Sequence, residues 1–314
     1  MVDIENRLWV EKYRSKSLDD YVWASQSQRE QVEYWISQKE IPNLGFWGLA
    51  GTGKTTLAKL ILRELDVDPC DIKIVNASQE NGIDFIRSLT SFVETMPSGN
   101  FRYVLLDESD FITPNGQAAL RNMIEEYSAI CRWIFTANNQ SKIIPPLHSR
   151  LQDFTFTQLD KDQFISRIAT ILINEGVELT GENFEILEEY VAATYPDLRK
   201  CINSLQQNCI NKILKRPSGS SGNHTLDFMI DSIQLIKKRK LKEARELICK
   251  NARPEEYVAI FKMMYQNLDW WGETVQEQEQ AIVVISNHLR DHAIIADPEI
   301  NLAACIVDLK NIQG

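Results

Sequence analysis

The segment at residues 48–55 reads GLAGTGKT, and its residue types and spacing suit the binding of a phosphate chain. Glycines let a backbone curl tightly, so that successive N–H groups point at phosphate oxygens. An apolar run precedes the segment and a helical pattern follows it, so the positive end of that helix would face the same phosphates. We expect Lys54 to neutralise the β- and γ-phosphates of a nucleoside triphosphate, and the Thr55 hydroxyl to ligate Mg²⁺. The residues expected to contact the nucleotide in this P-loop are Gly48, Gly51, Thr52, Gly53, Lys54, Thr55 and Thr56.

An acidic pair follows the apolar run at residues 103–106. A buried strand there would deliver Asp107 to the carboxyl edge of a sheet, where a carboxylate can hold Mg²⁺ directly or through water. Glu108 comes next and could polarise a water molecule for attack on the γ-phosphate. Taken alone, the pattern also fits a strand that runs into an acidic turn. Together with the P-loop, it favours hydrolysis of the bound nucleotide.

Two further positions could assist that chemistry. Asn138 and Asn139 follow the apolar run at 133–137, and a neutral amide can orient a water without competing for the metal, although Asn also favours ordinary turns. Arg199 lies behind a predicted helix cap, Asp197, where a cation opposes the helix dipole by roughly 0.3–1 kcal/mol. A cation that opposes the helix dipole without an evident stabilising contact is often retained for a function. Arg199 could therefore contact the γ-phosphate from a helical lid, and a plain surface charge is the alternative.

The elements that position these residues alternate between short apolar runs and helical patterns. The predicted strands are residues 44–47, 72–75, 103–106, 133–137 and 154–156, and the helices between them include 55–65, 83–94 and 117–127. Strand–helix alternation predicts a five-stranded parallel sheet with helices on both faces. In such a sheet, ligands bind beyond the carboxyl ends of the strands.

From about Lys161 the strand pattern stops and helical stripes follow. The stripes are Phe164, Ile168 and Ile171, then Phe184, Leu187 and Val191, then Leu198, Ile202, Leu205 and Cys209. We predict a nucleotide-binding domain over 1–158, a helical lid over 159–216 and a flexible linker over 217–225, whose composition is rich in Pro, Ser and Gly. An all-α domain follows over 226–314, with Pro254 and Pro298 starting helices.

The composition places these elements in a water-soluble protein, since 44% of the 314 residues are hydrophobic and 25% are charged. The six cysteines include no C-x-x-C pair, which argues against a zinc module and favours free thiols in a reducing compartment. No apolar run reaches the roughly 18 residues of a membrane span, and the N-terminus lacks the apolar core of a signal peptide. We expect a cytoplasmic protein without a membrane partner.

The net charge of −10 makes the chain a poor general polyanion binder. Any contact with DNA would have to be local, for instance at helix N-termini near Asn81 and Asn115, where backbone N–H groups meet phosphates without added positive charge. The basic run at 237–242 fits a solvated helix end better than a binding site.

Five segments together resemble the clamp loaders among the AAA+ ATPases, specifically replication factor C small subunits and the large clamp-loader subunit of T-even-type bacteriophages. The resemblance covers residues 7–215, and beyond 226 it implies only a helical collar. The opening W-V-E-K-Y-R and the Ser-Arg step are its most specific parts. The segments are residues 9–14, the P-loop, the acidic strand end at 107–108, residues 137–139 with 147–150, and residues 196–200.

The resemblance implies roles within the chain's own site. Trp9, Tyr13 and Arg14 would form the adenine and ribose side. Asn138 matches the sensor-1 position, with the adjacent Asn139 as the alternative, and Arg199 matches sensor 2.

It also implies a site shared between subunits. Arg150 matches the arginine finger that reaches a neighbouring subunit's ATP, and Arg121 matches a second arginine at that interface. Such a finger supplies roughly 10³–10⁵ in rate. Gln117 matches a residue that couples the nucleotide site to DNA.

The function implied is ATP-dependent loading of a sliding clamp onto primer–template DNA. The assembly would be a pentamer of copies of this chain plus one different small subunit. The helix at 83–94, with Phe92 and Val93 exposed, could face the clamp, and ordinary core packing is the alternative.

Several positions depart from the family pattern. Leu151 stands where the Ser-Arg step is usually followed by cysteine, and Ser15 replaces a proline. A basic interface residue of phage relatives falls near Gly82 and is not carried over. Residues 196–200 read PDLRK, nearer the phage form, which favours a phage protein acting in a bacterial cytoplasm.

Two alternatives stay open. A different AAA+ DNA-remodelling motor, such as a branch-migration helicase, would need a DNA-binding module after the lid, and residues 226–314 show no helix-turn-helix pattern. A non-catalytic clamp-loader subunit would not need the intact Lys54, Asp107, Glu108 and Arg150.

Overall fold

The computed structural model describes residues 8–79, 83–156, 158–216, 224–238, 240–252, 256–292 and 294–312. Contacts divide the chain into two compact units. The first runs to Ile168 and includes Pro196–Lys200, and the second takes Ala169–Tyr195 and the chain from Cys201 onward.

The first unit is built on five parallel strands: β1 Leu44–Gly48, β2 Ile72–Asn76, β3 Arg102–Asp107, β4 Cys131–Ala137 and β5 Gln152–Phe156. Their order in the sheet is β2-β3-β4-β1-β5. The strands β2 to β4 therefore lie on one side of β1, and β5 lies on the other side. At such a switch point in strand order, a crevice lies outside the carboxyl ends of the strands. In the register, Gly48 at the end of β1 pairs with Phe156 at the end of β5.

Helices cover both faces of this sheet, as the near-continuous apolar strands require. Alternate side chains of β3 divide between two cores. Val104 and Leu106 pack with α4 (Ile83–Val93) and α5 (Pro114–Glu126) on one face. Tyr103 and Leu105 pack with α2 (Gln26–Gln38) and α3 (Lys54–Glu64) on the other. The helices that begin in this unit are α1 Trp9–Lys12, α2 Gln26–Gln38, α3 Lys54–Glu64, α4 Ile83–Val93, α5 Pro114–Glu126, α6 Pro145–His148, α7 Lys161–Asn174 and α9 Leu198–Asn208.

The second unit is mainly helical, and α10 packs on α8 and α11, while α13 packs on α12 and α14. Thr274 and Glu277 form a capping box that starts α13, in which each side chain accepts from the other residue's backbone N–H. Its helices are α8 Gly181–Thr194, α10 His224–Lys237, α11 Leu241–Asn251, α12 Tyr257–Gln266, α13 Val275–Asp291 and α14 Pro298–Ile312. None of the helices in the described ranges is long and apolar enough to cross a membrane.

The predicted fold class is confirmed: all five predicted strands form one parallel sheet with helices on both faces, followed by helices. Each strand is longer by one or two residues than its apolar run, because the polar end residues still pair with neighbours. The predicted domain boundaries stay a prediction, and residues 217–223 of the linker, together with Pro254, lie outside the described residues.

The predicted helical stripe of Phe184, Leu187 and Val191 lies in α8, and Phe184 itself is 42% exposed. Two other sequence-based details were wrong. Cys209 is not in α9: the helix ends at Asn208 and a small antiparallel hairpin follows, β6 Cys209–Ile210 with β7 Ile213–Leu214. Val93 is fully buried rather than exposed. Phe92 packs against the same core and lies under the guanidinium of Arg102, 4.5 Å from its ring centre.

Candidate nucleotide-binding site

The P-loop joins β1 to α3 at the carboxyl edge of the sheet. Gly51 and Gly53 have φ angles of 74° and 89°, a left-handed conformation that strains any residue with a Cβ. Gly53 also lies against Tyr21, whose ring would be 2.9 Å from an added Cβ. The loop is thereby bent so that α3 begins at Lys54, with its N-terminal N–H groups facing the loop.

Lys54 is buried and directed into the loop. Its Nζ donates to the carbonyl oxygens of Gly48 at 2.8 Å and Leu49 at 2.7 Å, and to Asn138 Oδ1 at 3.0 Å. Burial lowers the pKa of Lys54 to about 8, because desolvation disfavours the ammonium. The nearby carboxylates of Asp107 and Asp110 oppose that shift. The hydrogen-bond partners of Lys54 in the described part of the chain are thus neutral oxygens, which phosphate oxygens could replace.

Asp107 ends β3 beside the start of α3. Its Oδ1 accepts a hydrogen bond from Thr55 Oγ1 at 2.7 Å and a second, short one from the Thr136 hydroxyl. The described residues contain no group of three or more His, Cys, Asp and Glu that could hold a metal ion. Mg²⁺ bound together with a nucleotide needs only one or two carboxylates beside phosphate and water oxygens. The adjoining oxygens of Thr55 and Asp107 fit such a site.

Glu108 has an unusual backbone conformation, with φ 55° and ψ 41°. This left-handed geometry costs a residue with a side chain roughly 1–2 kcal/mol. Neighbouring contacts hold it: the Glu108 N–H donates to Thr136 Oγ1 at 3.2 Å, and Ser109 Oγ donates to the Thr136 carbonyl at 2.8 Å. Non-glycine residues in strained conformations cluster at functional sites.

The two asparagines after β4 have different surroundings. Asn138 Oδ1 accepts from Lys54 Nζ, which brings this amide to the P-loop. Asn139 Oδ1 instead accepts from the N–H and hydroxyl of Ser141, at 3.1 and 2.7 Å, and caps the short turn that follows. The structure therefore places only the first amide beside the P-loop lysine.

The start of α9 lies against the P-loop. A Cβ added at Gly51 would collide with the carboxylate of Asp197. Asp197 caps the helix, since its Oδ1 accepts from the Lys200 N–H at 2.9 Å. Arg199 is exposed in the first helical turn, and its charge is close enough to contribute to the lowered pKa of Lys54. The structure thus brings Arg199 towards the P-loop.

The N-terminal aromatic and basic residues lie on or just after α1. Trp9 is buried, and Tyr13 and Arg14 are partly exposed. The carbonyl of Tyr13 accepts from Arg167 Nη2 at 2.9 Å, and Arg14 pairs with Glu11 at 2.7 Å. These contacts attach the segment to α7 within the first unit.

Arg150 lies at the opposite edge of the sheet from the P-loop. It precedes β5, whose first residue, Gln152, pairs with Leu44 at the start of β1. Arg121 is on α5, where its guanidinium donates to Asn122 Oδ1 at 2.9 and 3.2 Å. The structure therefore does not bring Arg150 to its own P-loop edge.

Gln117 is buried on α5 and bonded to the loop that follows β4. Its Nε2 donates to the carbonyls of Ile112 at 3.1 Å and Lys142 at 2.9 Å, and its Oε1 accepts from the Ile144 N–H at 2.8 Å. The side chain therefore ties α5 to the segment carrying Asn138.

Three residues near the site were missed from the sequence. Thr136 bonds both the Asp107 carboxylate and the Glu108 backbone. Tyr21 Oη donates to the Thr52 carbonyl at 3.4 Å, and burial raises the pKa of its phenol. Asp110 is 8% exposed, and its Oδ1 has no hydrogen-bond partner among the described residues. Strand alternation could have indicated Thr136, which lies two residues before Asn138.

Comparisons with known proteins identify the family of this chain. Residues 44–159 match the profile of the ATPase family associated with various cellular activities (AAA). A solved structure of a RuvB variant from Thermotoga maritima covers 93% of this chain and 91% of its own, with a TM-score of 0.56 at 15% identity. At that identity the likeness shows the fold alone, and it supports the AAA+ assignment of the sheet.

Curated relatives are more specific. The replication factor C small subunit of Archaeoglobus fulgidus is 35% identical over 249 residues, which cover 77% of this chain and 77% of that protein. The corresponding subunit of Aeropyrum pernix is 36% identical over 248 residues, covering 77% of this chain and 72% of that protein. With this identity and coverage, the chain belongs to the replication factor C small-subunit family and is an AAA ATPase.

Proposed function

We propose that the chain is a clamp-loader subunit, which uses ATP to load the sliding clamp of a DNA polymerase onto primer–template DNA. The assembly would be a pentamer containing copies of this chain and one different small subunit. The family supports this function, as does a P-loop site that has every residue a phosphoryl-transfer ATPase needs from its own chain.

The observation that carries the proposal is the separation of Arg150 from that site. The P-loop lies at the carboxyl edge of the sheet and Arg150 at the amino edge. The five residues of β1 span roughly 13 Å at about 3.3 Å per residue. A guanidinium at one edge cannot reach a phosphate at the other, so Arg150 is available only to the nucleotide of another subunit.

Within its own site, each residue has a role that its surroundings support. Lys54 would exchange its three oxygen acceptors for phosphate oxygens, since a phosphate is the stronger partner for an ammonium. Thr55 and Asp107 would hold Mg²⁺, which supplies charge neutralisation at the phosphates. Glu108 would take a proton from the attacking water, and Asn138, already beside Lys54, would orient that water.

Other residues would sense and bind the rest of the nucleotide. Arg199 would contact the γ-phosphate from the start of α9, so that hydrolysis removes one of its partners. Trp9, Tyr13 and Arg14 would form the adenine and ribose side, with Gly48, Gly51, Thr52, Gly53 and Thr56 around the phosphates.

The subunit interface would contribute the remaining catalytic groups. Arg150 would act as the finger on the neighbour's ATP, with Arg121 as a second arginine. Gln117 would transmit the state of bound DNA, because it joins α5 to the loop after Asn138.

The proposed function also requires contacts with the clamp and with DNA. With Val93 buried and Phe92 packed, α4 could present only its remaining exposed face to the clamp. DNA contacts would lie at the start of α5, where Asn115 is exposed. Asn81, the other position expected, lies outside the described residues. A phage origin and action in the host's bacterial cytoplasm stay predictions.

The test is ATP hydrolysis by assemblies purified from cells that express the chain with its partner subunits. We expect slow hydrolysis by the chain alone, and strong stimulation only when clamp and primer–template DNA are both added. Lys54→Ala should remove nucleotide binding itself, measured by titration calorimetry.

Two results would overturn the proposal. Stimulation by DNA alone, accompanied by movement along it, would indicate a translocating motor instead. Wild-type nucleotide affinity in Lys54→Ala would remove the P-loop assignment. The exposed Lys59, on the same helix, provides a matched control variant, Lys59→Ala, that should bind nucleotide normally.

A further inference from the structure

The guanidinium of Arg150 is held by hydrogen bonds within its own subunit. Its Nε donates to Glu125 Oε1 at 2.8 Å and its Nη2 donates to the same oxygen. Its Nη1 donates to Ser149 Oγ at 3.2 Å and to the carbonyl of Pro146. These bonds use four of the five N–H donors of a guanidinium. Because arginine binds phosphate best through two parallel N–H groups, Arg150 must release a partner before it can do so.

Glu125 is a carboxylate in an unfavourable place. It lies in the last turn of α5, next to Glu126, and that turn contains no basic residue. The carboxyl end of a helix carries partial negative charge, so acids there oppose the helix dipole. An acid that opposes the helix dipole at this position indicates a role other than stabilising the helix. Pairing with Arg150 is the contact that this position provides.

The solvent exposure of the Arg150–Glu125 pair limits how tightly Glu125 can hold the guanidinium. The Arg150 side chain is 29% exposed and that of Glu125 is 56% exposed. Exposed ion pairs shift an equilibrium by no more than roughly fivefold. The contact is therefore weak enough for a γ-phosphate, which carries more charge than a carboxylate, to replace it. It is strong enough to retain Arg150 when the competing anion is weaker than a γ-phosphate or absent.

We infer that Glu125 is a placeholder for the neighbour's phosphate, and that it regulates assembly by competing for Arg150. The inference rests on the proposed function, in which Arg150 acts on ATP of a neighbouring subunit. When the neighbour holds ATP, the guanidinium moves from carboxylate to phosphate and the interface closes. When the neighbour holds ADP, no γ-phosphate competes, and Glu125 recovers Arg150. The pair thus raises the concentration of ATP at which the interface closes.

The test compares Glu125→Gln with Glu126→Gln in the full chain with its partner subunits. Glutamine keeps the size and one acceptor oxygen, and the control removes the same charge one residue along the same helix end. The concentration of a non-hydrolysable ATP analogue with Mg²⁺ that gives half-maximal assembly is measured by sedimentation. We expect Glu125→Gln to lower it roughly two- to fivefold, and Glu126→Gln to leave it unchanged.

A double-mutant cycle isolates the pair. In an Arg150→Ala background, Glu125→Gln should have no effect on the half-maximal concentration. A second readout needs no assembly: the Arg150 Nε–H signal in nitrogen-15 NMR, assigned with Arg150→Lys, should exchange with water faster in Glu125→Gln than in wild type.

Each contrary result points to a different error. An unchanged or raised half-maximal concentration in Glu125→Gln overturns the placeholder role, and a raised one would show that Glu125 positions Arg150 instead. The proposed function survives either result if Arg150→Ala still abolishes hydrolysis by the assembly. Wild-type hydrolysis in Arg150→Ala would refute the proposed function itself.

Discussion

Lys54 determines how the nucleotide site responds to pH. Three oxygen acceptors surround its ammonium, and burial holds its pKa at about 8. Binding of a polyphosphate brings negative charge close to the ammonium, which raises that pKa again. The bound form therefore carries a proton that the unbound form begins to lose above about pH 8.

We predict that ATP affinity is constant below pH 7 and falls above about pH 8, with a slope approaching tenfold per pH unit. Titration calorimetry in two buffers of different ionisation enthalpy should show proton uptake on binding in that range. The free energy of unfolding changes with pH in the opposite direction. The folded pKa of Lys54 lies below its unfolded value of 10.5, so the contribution of Lys54 to stability increases as pH rises between these two values. Affinity that increased above pH 8 would contradict the assignment.

Thr136 supports the carboxylate of Asp107, the proposed Mg²⁺ ligand, through its hydroxyl. Its hydroxyl donates to Asp107 and accepts from the Glu108 N–H. We predict that Thr136→Val, which removes only the hydroxyl's hydrogen bonds at nearly the same volume, lowers the hydrolysis rate about 10- to 100-fold, as loss of such support does elsewhere. Steady-state ATPase assays with a Mg²⁺ titration would show this. Thr136→Ser keeps the hydroxyl and should retain most activity, and a serine variant as slow as valine would argue for a packing effect.

Residue types and spacing were enough to find Lys54, Thr55 and Asp107, because a P-loop followed by an acidic strand end is a local pattern. Thr136 and Tyr21 belong to no such local motif, and only strand alternation could have indicated Thr136. Their contacts cross between strands or from a preceding segment, and depend on a register that a single sequence does not specify. The choice between Asn138 and Asn139 likewise depended on where the loop after β4 turns.

At the scale of elements, Gln117 links α5 to the loop after β4. It is 1% exposed and makes three hydrogen bonds to backbone groups. We predict that Gln117→Met, of similar volume, lowers the free energy of unfolding by about 1–3 kcal/mol, because buried backbone groups are left without partners. The urea midpoint would fall while the slope of the transition stays the same.

Gln140→Met provides the control for this change. Gln140 is exposed in the turn that the same loop makes, so substitution there should move the midpoint little. Equal shifts in the two variants would mean that the buried bonds of Gln117 contribute no more than a surface side chain.

The strands were predictable because a parallel sheet buried on both faces requires continuous apolar runs. The helical half was harder to predict in detail. Phe184 follows a helical stripe yet remains 42% exposed. A stripe identifies the apolar face of a helix, but it does not tell how much of that face the neighbouring elements cover. Cys209 continues an apolar spacing beyond the end of α9, where the backbone turns into a hairpin.

At the scale of the whole molecule, Lys54 and Arg150 lie at opposite edges of the sheet, and the proposed function assigns them to the sites of two different subunits. We predict that Lys54→Ala and Arg150→Ala subunits are each inactive in assemblies of their own, and that mixed assemblies regain part of the ATPase activity. Activity returns because an Arg150→Ala subunit keeps its own P-loop and receives an arginine from a Lys54→Ala neighbour. Hydrolysis measured against mixing ratio should be highest near equal amounts.

The double variant Lys54→Ala/Arg150→Ala is the control for mixing. Combined with either single variant, it supplies neither a working P-loop nor an arginine, so it should restore activity to neither of them. If equal mixtures of the two single variants remained inactive while still assembling, the two residues would have to act in one and the same subunit.

The left-handed backbone of Glu108 has a consequence for how the chain can change over generations. Glycine at this position would relieve about 1–2 kcal/mol of strain, and would return about 0.4–1 kcal/mol through its freer unfolded chain. Loss of this proposed catalytic base thus leaves the fold no less stable, and slightly more stable. A lineage released from the need to hydrolyse ATP would meet no folding barrier at this residue, whereas one that keeps its activity must retain the strain through selection on turnover alone.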